Sequence, residues 1–193
     1  MRVHGDKIIC RRSNVPHQSD CQKYKTDIRT DFQNICGYCG KHEMVTHKNM
    51  ELDHFVPENI DPIRKSDYSN LVYSCFTCNR KKLGKWPTGD GRRPHNEYEG
   101  FVDPATSDYD KHLGRKEDGE LEYYTEVGKY MHKTAFKFDI RPTKEIWKAS
   151  KLCERIEKLG RSENRISSVK KSECAEVLLD LFNLQKYLFE KNE

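Results

Sequence analysis

The chain has 193 residues, a formal net charge of +4 and a hydrophobic fraction of 35%, below the roughly 45–50% of an average globular protein. This size and composition predict one domain with an appendage and exclude several large cores. The longest apolar runs, such as residues 177–179, are far shorter than the roughly 20 residues that a membrane-spanning helix needs. The N-terminal residues also lack the apolar stretch of a signal peptide, so we expect a soluble cytoplasmic protein.

The first half of the chain predicts a helix, two strands and a second helix. Apolar residues four positions apart predict a helix over about residues 18–33, and its apolar face would carry Tyr24, Ile28 and Phe32. Short strands are predicted at residues 51–56 and 71–74. Residues 78–86 then favour a short helix that Gly84 limits.

The second half predicts a β-hairpin followed by two helices. An Asp118-Gly119 turn lies between polar arms and indicates the hairpin. The first closing helix is expected to begin at Thr143 and end at Gly160, and the second to begin at Ser172. The first is expected to bury Ile146, Trp147, Ala149, Leu152, Cys153 and Ile156. The second helix carries an apolar stripe that would be either part of the core or a contact with an oligomer or partner. The stripe is formed by Val177, Leu178, Leu181, Phe182, Leu184, Leu188 and Phe189.

Four of the eight cysteines form two C-x2-C pairs separated by 35 residues. In a reducing compartment this spacing favours a metal site over a disulfide framework, because each pair can present two sulfurs to one ion. Iron also accepts four thiolates, but zinc is the better prediction. The predicted structural zinc ligands are Cys36, Cys39, Cys75 and Cys78.

Charge is distributed unevenly along the chain. Residues 61–93 contain eight basic residues against three acidic ones, whereas residues 97–126 contain ten acidic residues against three basic ones. A polyanion would be attracted to the first segment and repelled by the second. Both segments could instead be ordinary solvated faces, but the basic one overlaps the second cysteine pair.

Between and beside the cysteine pairs, four polar residues occur in a characteristic order. Asp53 and His54 stand together near the end of the first strand, Asn70 precedes the second strand, and Asn79 follows the last cysteine. In this order and spacing, residues 34–86 resemble the HNH endonucleases, the zinc-containing branch of the ββα-metal or His-Me finger nucleases.

The resemblance implies a role for each of these residues. Asp53 and Asn79 would be ligands of a catalytic divalent cation, Mg²⁺ or Mn²⁺; His54 would be the general base, and Asn70 would orient the loop that carries it. Many relatives have histidine where this chain has Asn79. The implied fold class is α+β: a small ββα-metal core with a Cys₄ zinc site, an N-terminal helix, a β-hairpin and C-terminal helices. The expected divisions are residues 1–33, 34–93 and 94–193.

The same chemistry can be argued from the residues themselves. An imidazole can take a proton from water, and carboxylate and amide oxygens suit a hard divalent cation. Regular strand alternation would point Asp53 and His54 to opposite faces, so the strand must end or twist between them. The alternative is that Asp53 is a turn residue and His54 a buried core imidazole. Four basic residues are expected to bind phosphates of nucleic acid, DNA more than RNA: Arg80, Lys81, Lys82 and Lys85.

Outside residues 34–86 the chain loosely resembles the HNH subunits of Septu-type anti-phage systems. This resemblance implies a role in antiviral defence and an ATPase partner. The protein could also form a homo-oligomer. The leading hypothesis is therefore a metal-dependent endonuclease. The alternative is a zinc-stabilised nucleic-acid-binding or adaptor module without catalytic activity.

Overall fold

The computed structural model describes residues 1–45, 48–161 and 168–190. Within these residues the chain forms six α-helices and two antiparallel two-stranded sheets, which confirms the predicted α+β class. The helices are α1 Lys25–Asp31, α2 Phe76–Lys82, α3 Tyr109–His112, α4 Glu126–Lys129, α5 Thr143–Arg161 and α6 Ser168–Glu190. The strands are β1 Glu51–His54, β2 Leu71–Ser74, β3 Leu113–Arg115 and β4 Leu121–Tyr123.

The ββα unit consists of β1, β2 and α2. Glu51 pairs with Ser74 and His54 with Leu71. The predicted second strand is confirmed, whereas β1 is two residues shorter than predicted. The backbone N–H of Phe55 still donates to the carbonyl of Asn70, but residues 55 and 56 form a bend before Pro57, and the strand ends there.

The N-terminal helix is shorter than the predicted span of residues 18–33. A 3₁₀ turn, Cys21–Tyr24, precedes α1, and Asp20 caps that turn by accepting a hydrogen bond from the backbone of Gln22. Gln33 and Asn34 adopt left-handed conformations just beyond α1, and these end the helix. The apolar face was predicted well, since its three members are buried: Tyr24, Ile28 and Phe32.

The predicted hairpin is present as β3 and β4. Gly119 has φ +97° in the turn between them, a conformation that favours glycine. The sequence did not predict the elements that surround the hairpin, namely α3, α4, a π-helix Tyr130–Ala135 and a 3₁₀ turn Phe138–Ile140. Their buried side chains join the core that also packs against the ββα unit.

Arg115 connects the hairpin to the rest of the protein. It lies in the acidic segment of the sequence, yet its guanidinium is buried and donates to the carbonyls of Val3 and Cys39 at 3.1 and 2.8 Å. Trp147 of α5 lies 4.1 Å from the guanidinium carbon. Burial lowers the pKa of Arg115 to about 10. Arg115 thus links the N-terminal segment, the first cysteine pair, the hairpin and α5.

The two closing helices are longer than predicted. The first runs past Gly160 to Arg161, and the second begins at Ser168 instead of Ser172. A glycine inside a helix costs about 1 kcal/mol, and α5 packs against α6. None of the described helices is long and apolar enough to cross a membrane.

The expected apolar faces of these helices are only partly buried. In α5, Trp147, Leu152 and Cys153 are buried, and the other three predicted residues are half-buried. In α6 the core prediction is wrong for Leu178 and Phe182, which are 66% and 63% exposed. Of the remaining stripe, Val177 is buried and Leu181 half-buried, and three side chains lie outside those described: Leu184, Leu188 and Phe189.

Candidate active site and zinc centre

The four predicted zinc ligands form one buried cluster. The sulfurs of Cys36, Cys39, Cys75 and Cys78 all lie within 4.8 Å of one another. The Sγ atoms of Cys39 and Cys75 are 3.9 Å apart, and a tetrahedral Zn²⁺ with Zn–S bonds of about 2.3 Å places its sulfurs about 3.8 Å apart. The cluster therefore fits a structural zinc ion.

Backbone hydrogen bonds shape both cysteine pairs. In the first pair, the N–H of Cys36 donates to the carbonyl of Lys41 and the N–H of Gly40 to the carbonyl of Cys36, each at 2.8 Å. Gly40 has φ +68°, and this left-handed residue closes the turn. In the second pair, Cys75 caps α2 and Cys78 lies in its first turn. The second cysteine pair therefore belongs to the ββα unit, and the first pair lies beside that unit.

Asp53, His54 and Asn79 line one open cleft of about 590 Å³. The structure thus brings these three predicted site residues to a single surface. Asp53 and His54 are the last two residues of β1 and both pair with β2, so the strand ends after His54 and does not end between the two residues. The rest of the lining comes from the following loop and from α2: Leu52, Pro57, Glu58, Asn59, Pro62, Lys82, Leu83 and Gly84.

The Asp53 carboxylate is held from two sides. Its Oδ2 accepts a hydrogen bond from the hydroxyl of Tyr38, and the Lys82 Nζ lies 3.2 Å from Oδ1 and 3.1 Å from Oδ2. Burial and the charge of Asp53 raise the pKa of Tyr38 well above its usual value, so the hydroxyl keeps its proton and donates. The sequence analysis did not identify Tyr38, although it lies inside the first C-x2-C pair.

The environment of His54 determines which ring nitrogen carries a proton. His54 Nε2 lies 2.8 Å from the backbone carbonyl of Lys65. A carbonyl oxygen only accepts hydrogen bonds, so Nε2 carries the hydrogen and the neutral ring has its lone pair on Nδ1. The imidazole is half-buried and lines the cleft, in contrast to the alternative of a buried core histidine.

Asn70 holds the segment that follows His54. Its buried side chain accepts from the N–H of Val56 at 2.8 Å and donates to the carbonyls of Val56 and Arg64 at 3.0 and 3.3 Å. Its own carbonyl accepts from the N–H of Phe55 at 2.7 Å. These four bonds fix the path of the chain beside His54.

Asn79 is oriented by an acidic residue of β1. Its Nδ2 donates to Glu51 Oε2 at 2.6 Å, so the amide oxygen faces away from Glu51. Glu51 contacts Asn79, and Asp53 contacts Lys82. The two acidic residues are two positions apart on β1, and their partners are three positions apart on α2. The spacing of side chains on the strand thus matches one turn of the helix.

Residues 36–84 match the HNH endonuclease family model. The match includes both cysteine pairs, β1, β2 and α2, so the chain carries an HNH domain. An HNH domain indicates nuclease activity and contact with nucleic acid in general. Comparison with curated proteins and with solved structures gives no match.

One of the four basic residues expected to bind phosphate has a different position in the HNH domain. Lys82 is 3% exposed, and its ammonium contacts Asp53 and donates to the carbonyl of His54 at 2.7 Å. Phosphate binding by Lys82 therefore stays a prediction: the side chain lines the cleft, but its ammonium already contacts Asp53. Lys82 follows Arg80 and Lys81 directly in the sequence, but it faces β1 because it lies one turn after Asn79.

The other three basic residues lie nearer to solvent. Arg80 and Lys81 are exposed on α2, and Arg80 also lies 3.6 Å from Glu51. Lys85 is half-buried and donates to the carbonyl of Ala135 at 3.1 Å. These contacts leave Arg80 and Lys81 as the more accessible positive charges on this side of the HNH domain.

Arg141 completes the surroundings of the zinc centre and was not predicted. Its guanidinium lies 3.3 Å from the Sγ of Cys78 and 3.9 Å from that of Cys39. Burial alone would lower the pKa of Arg141, but the charges of these thiols raise it. Four thiolates with one Zn²⁺ would carry two net negative charges, and Arg141 would offset one of them. The sequence holds no local signal for this contact, since the residues lie 63 and 102 positions apart.

Proposed function

We propose that this protein is a metal-dependent endonuclease that hydrolyses phosphodiester bonds in nucleic acid, with DNA as the favoured substrate. The observation that carries the proposal is the single open cleft, within the HNH domain, that Asp53, His54 and Asn79 line. Carboxylate and amide oxygens are donors that Mg²⁺ and Mn²⁺ prefer. Asp53 and the amide oxygen of Asn79 would hold the ion, and its charge would stabilise the phosphate and the departing 3′ oxygen.

His54 is the proposed general base. The hydrogen bond from Nε2 to the Lys65 carbonyl leaves Nδ1 as the atom that accepts a proton from water. Asn70 supports this geometry because it fixes the chain directly after His54. Arg80, Lys81 and Lys85 would bind backbone phosphates on either side of the cleavage point, which gives affinity without sequence readout.

Plasmid cleavage tests the proposal. Zinc-loaded protein is incubated with supercoiled DNA and with Mg²⁺, Mn²⁺ or no added divalent ion, and the same ions are tested on single-stranded DNA and RNA. We expect nicked or linear DNA only when Mg²⁺ or Mn²⁺ is present, and no product from Asp53→Ala protein. Equal product in the presence and absence of added ion would exclude the metal-dependent mechanism.

One observation favours the second candidate, a zinc-stabilised binding or adaptor module. The carboxylate oxygens of Asp53 and the amide nitrogen of Asn79 already have partners within the protein, in Lys82, Tyr38 and Glu51. A binding module would retain nucleic acid in a salt-sensitive manner, its affinity would be the same in His54→Ala, and no substrate would be cleaved under any metal condition. Parallel binding and cleavage assays on the same protein therefore separate the two candidates.

The biological setting belongs to the same proposal. We place the nuclease in the cytoplasm, in antiviral defence, with an ATPase as partner. The acidic segment around β3 and β4 and the exposed Leu178 and Phe182 of α6 are surfaces that such a partner would contact. Co-purification with an ATPase expressed from a neighbouring gene, lost on Leu178→Glu with Phe182→Glu, tests this assignment.

A further inference from the structure

The carboxylates around the cleft are each matched by a cation. Lys82 lies 3.1 Å from Asp53, Lys65 lies 2.7 Å from Glu58, and Arg80 lies 3.6 Å from Glu51. Because neither Asn79 nor an imidazole adds a negative charge, these pairs leave the cleft with little net negative charge. A divalent cation would therefore meet a neutral site instead of an acidic one.

The pair of Asp53 and Lys82 differs from the other two in its burial. The side chains of Lys82 and Asp53 are 3% and 10% exposed, whereas those of Lys65 and Glu58 are 59% and 47% exposed. Solvent screens charges in exposed pairs but acts much less on buried ones. Lys82 thus sets the electrostatic potential that an ion on Asp53 would experience.

Lys82 is also fixed in place. Its ammonium contacts both oxygens of Asp53 and the carbonyl of His54, so its donors are satisfied where they are. An ion bound to Asp53 would share that carboxylate with a positive charge about 3 Å from the same oxygens, and the repulsion would weaken its binding. A phosphate entering the cleft adds negative charge and opposes this repulsion.

We propose that Lys82 is the resident counter-ion of Asp53 and makes binding of the divalent cation depend on a phosphate of nucleic acid. The inference rests on the proposed function, because it concerns the ion that Asp53 and Asn79 would hold there. Lys82 is a positioning residue in this account. It holds Asp53 and the end of β1, and it prevents the site from loading metal before substrate arrives.

Manganese titration followed by electron paramagnetic resonance tests the proposal without measuring cleavage. The free Mn²⁺ signal is recorded for zinc-loaded His54→Ala protein, which keeps the DNA intact, with and without a short DNA duplex. Mn²⁺ bound at the site is the difference between this protein and the double variant that also carries Asp53→Ala. The duplex alone is titrated in parallel. We expect Mn²⁺ to bind about tenfold or more tightly with duplex present. Equal affinity with and without duplex would overturn the proposal.

A second comparison isolates Lys82 in the absence of DNA. Lys82→Met removes the buried charge, and Lys111→Met removes the charge of an exposed lysine that is paired with Asp108 outside the cleft, as a matched control. We expect Lys82→Met to bind Mn²⁺ about tenfold or more tightly than wild type, and Lys111→Met to bind it as wild type does. A folded Lys82→Met protein with full zinc content that binds Mn²⁺ no more tightly than wild type contradicts the inference. If Lys82→Met does not fold, the duplex titration decides.

Failure of the inference and failure of the proposed function are distinguishable. Absence of metal-dependent cleavage by wild-type protein rejects the nuclease, whatever the titrations give. Cleavage that requires Mn²⁺, combined with equally tight Mn²⁺ binding with and without duplex, retains the nuclease and rejects the role of Lys82.

Discussion

Tyr38 donates its hydroxyl hydrogen to Asp53, and this bond connects the first cysteine pair directly to the cleft. Tyr38 lies between Cys36 and Cys39, so the same short turn supplies two zinc ligands and one support for the proposed metal ligand. The backbone carbonyl of Tyr38 in turn accepts a hydrogen bond from Tyr109 at 2.7 Å. The turn that carries the first cysteine pair therefore also helps to position Asp53.

Tyr38→Phe should weaken both stability and cleavage. The variant removes a buried hydrogen bond to a carboxylate, which costs about 1–3 kcal/mol in the free energy of unfolding. Asp53 would then be held by Lys82 alone, and we expect cleavage to fall by more than the loss of folded protein explains. Urea unfolding and single-turnover cleavage measure the two effects. Tyr73→Phe is the control, because its hydroxyl donates to Glu43; an equal fall in cleavage by both variants would refute the special role of Tyr38.

Arg141→Met should lower zinc affinity. The guanidinium faces two of the four sulfurs, and residues that support metal ligands typically contribute about 10–100-fold to metal affinity. Competition with a chromogenic zinc chelator measures the change, with Arg12→Met at an exposed ion pair as the control. Zinc retention by Arg141→Met equal to that of wild type would show that the arginine does not stabilise the thiolates.

Asn70→Ala should loosen the segment after His54. The variant leaves the N–H and carbonyl of Val56 without their side-chain partner, and each unsatisfied buried group costs about 1–3 kcal/mol. We expect lower stability, faster hydrogen exchange at the Val56 amide and slower cleavage. Asn96→Ala, which removes a comparable turn contact to Tyr98 and Glu99, should leave exchange at Val56 unchanged. Wild-type cleavage by folded Asn70→Ala would count against its role beside the base.

Protonation of His4 should destabilise the fold in mild acid. Burial lowers the pKa of His4 from 6.5 to about 4, so the unfolded chain binds the additional proton at a higher pH than the folded one. Stability from this group is complete above pH 6.5 and is lost as the pH falls towards 4, by roughly 3 kcal/mol in all. His4→Gln should show a flatter loss of unfolding free energy over this range than wild type. His17→Gln at an exposed site is the control, and parallel pH profiles for wild type and His4→Gln would contradict the assignment.

The sequence predicted the features that depend on local spacing. The two cysteine pairs, the strand at residues 71–74 and the Asp118-Gly119 turn each rest on residues close together in the chain, and the structure has all of them. The order of Asp53, His54 and Asn79 in the sequence also predicted that they lie close together, because a short ββα unit allows few arrangements of these residues.

The features that it missed depend on packing between distant segments. Lys82 resembles its exposed neighbours in sequence, and only the docking of α2 on β1 directs it towards Asp53. Arg115 and Arg141 approach the cysteine pairs from far along the chain. Glycine is typical of helix ends, but α5 continues through Gly160 to Arg161.

His54 is the proposed activator of water in the cleft. The most direct test of this role is the single-turnover rate of cleavage of a labelled DNA duplex with Mg²⁺ or Mn²⁺, measured for wild type, His54→Ala and the exposed-site control His17→Ala, all with full zinc content. Loss of a general base typically lowers the rate by about 10²–10⁴-fold. We expect a fall of that size in His54→Ala and none in His17→Ala, whereas cleavage by folded His54→Ala at the wild-type rate would contradict the account.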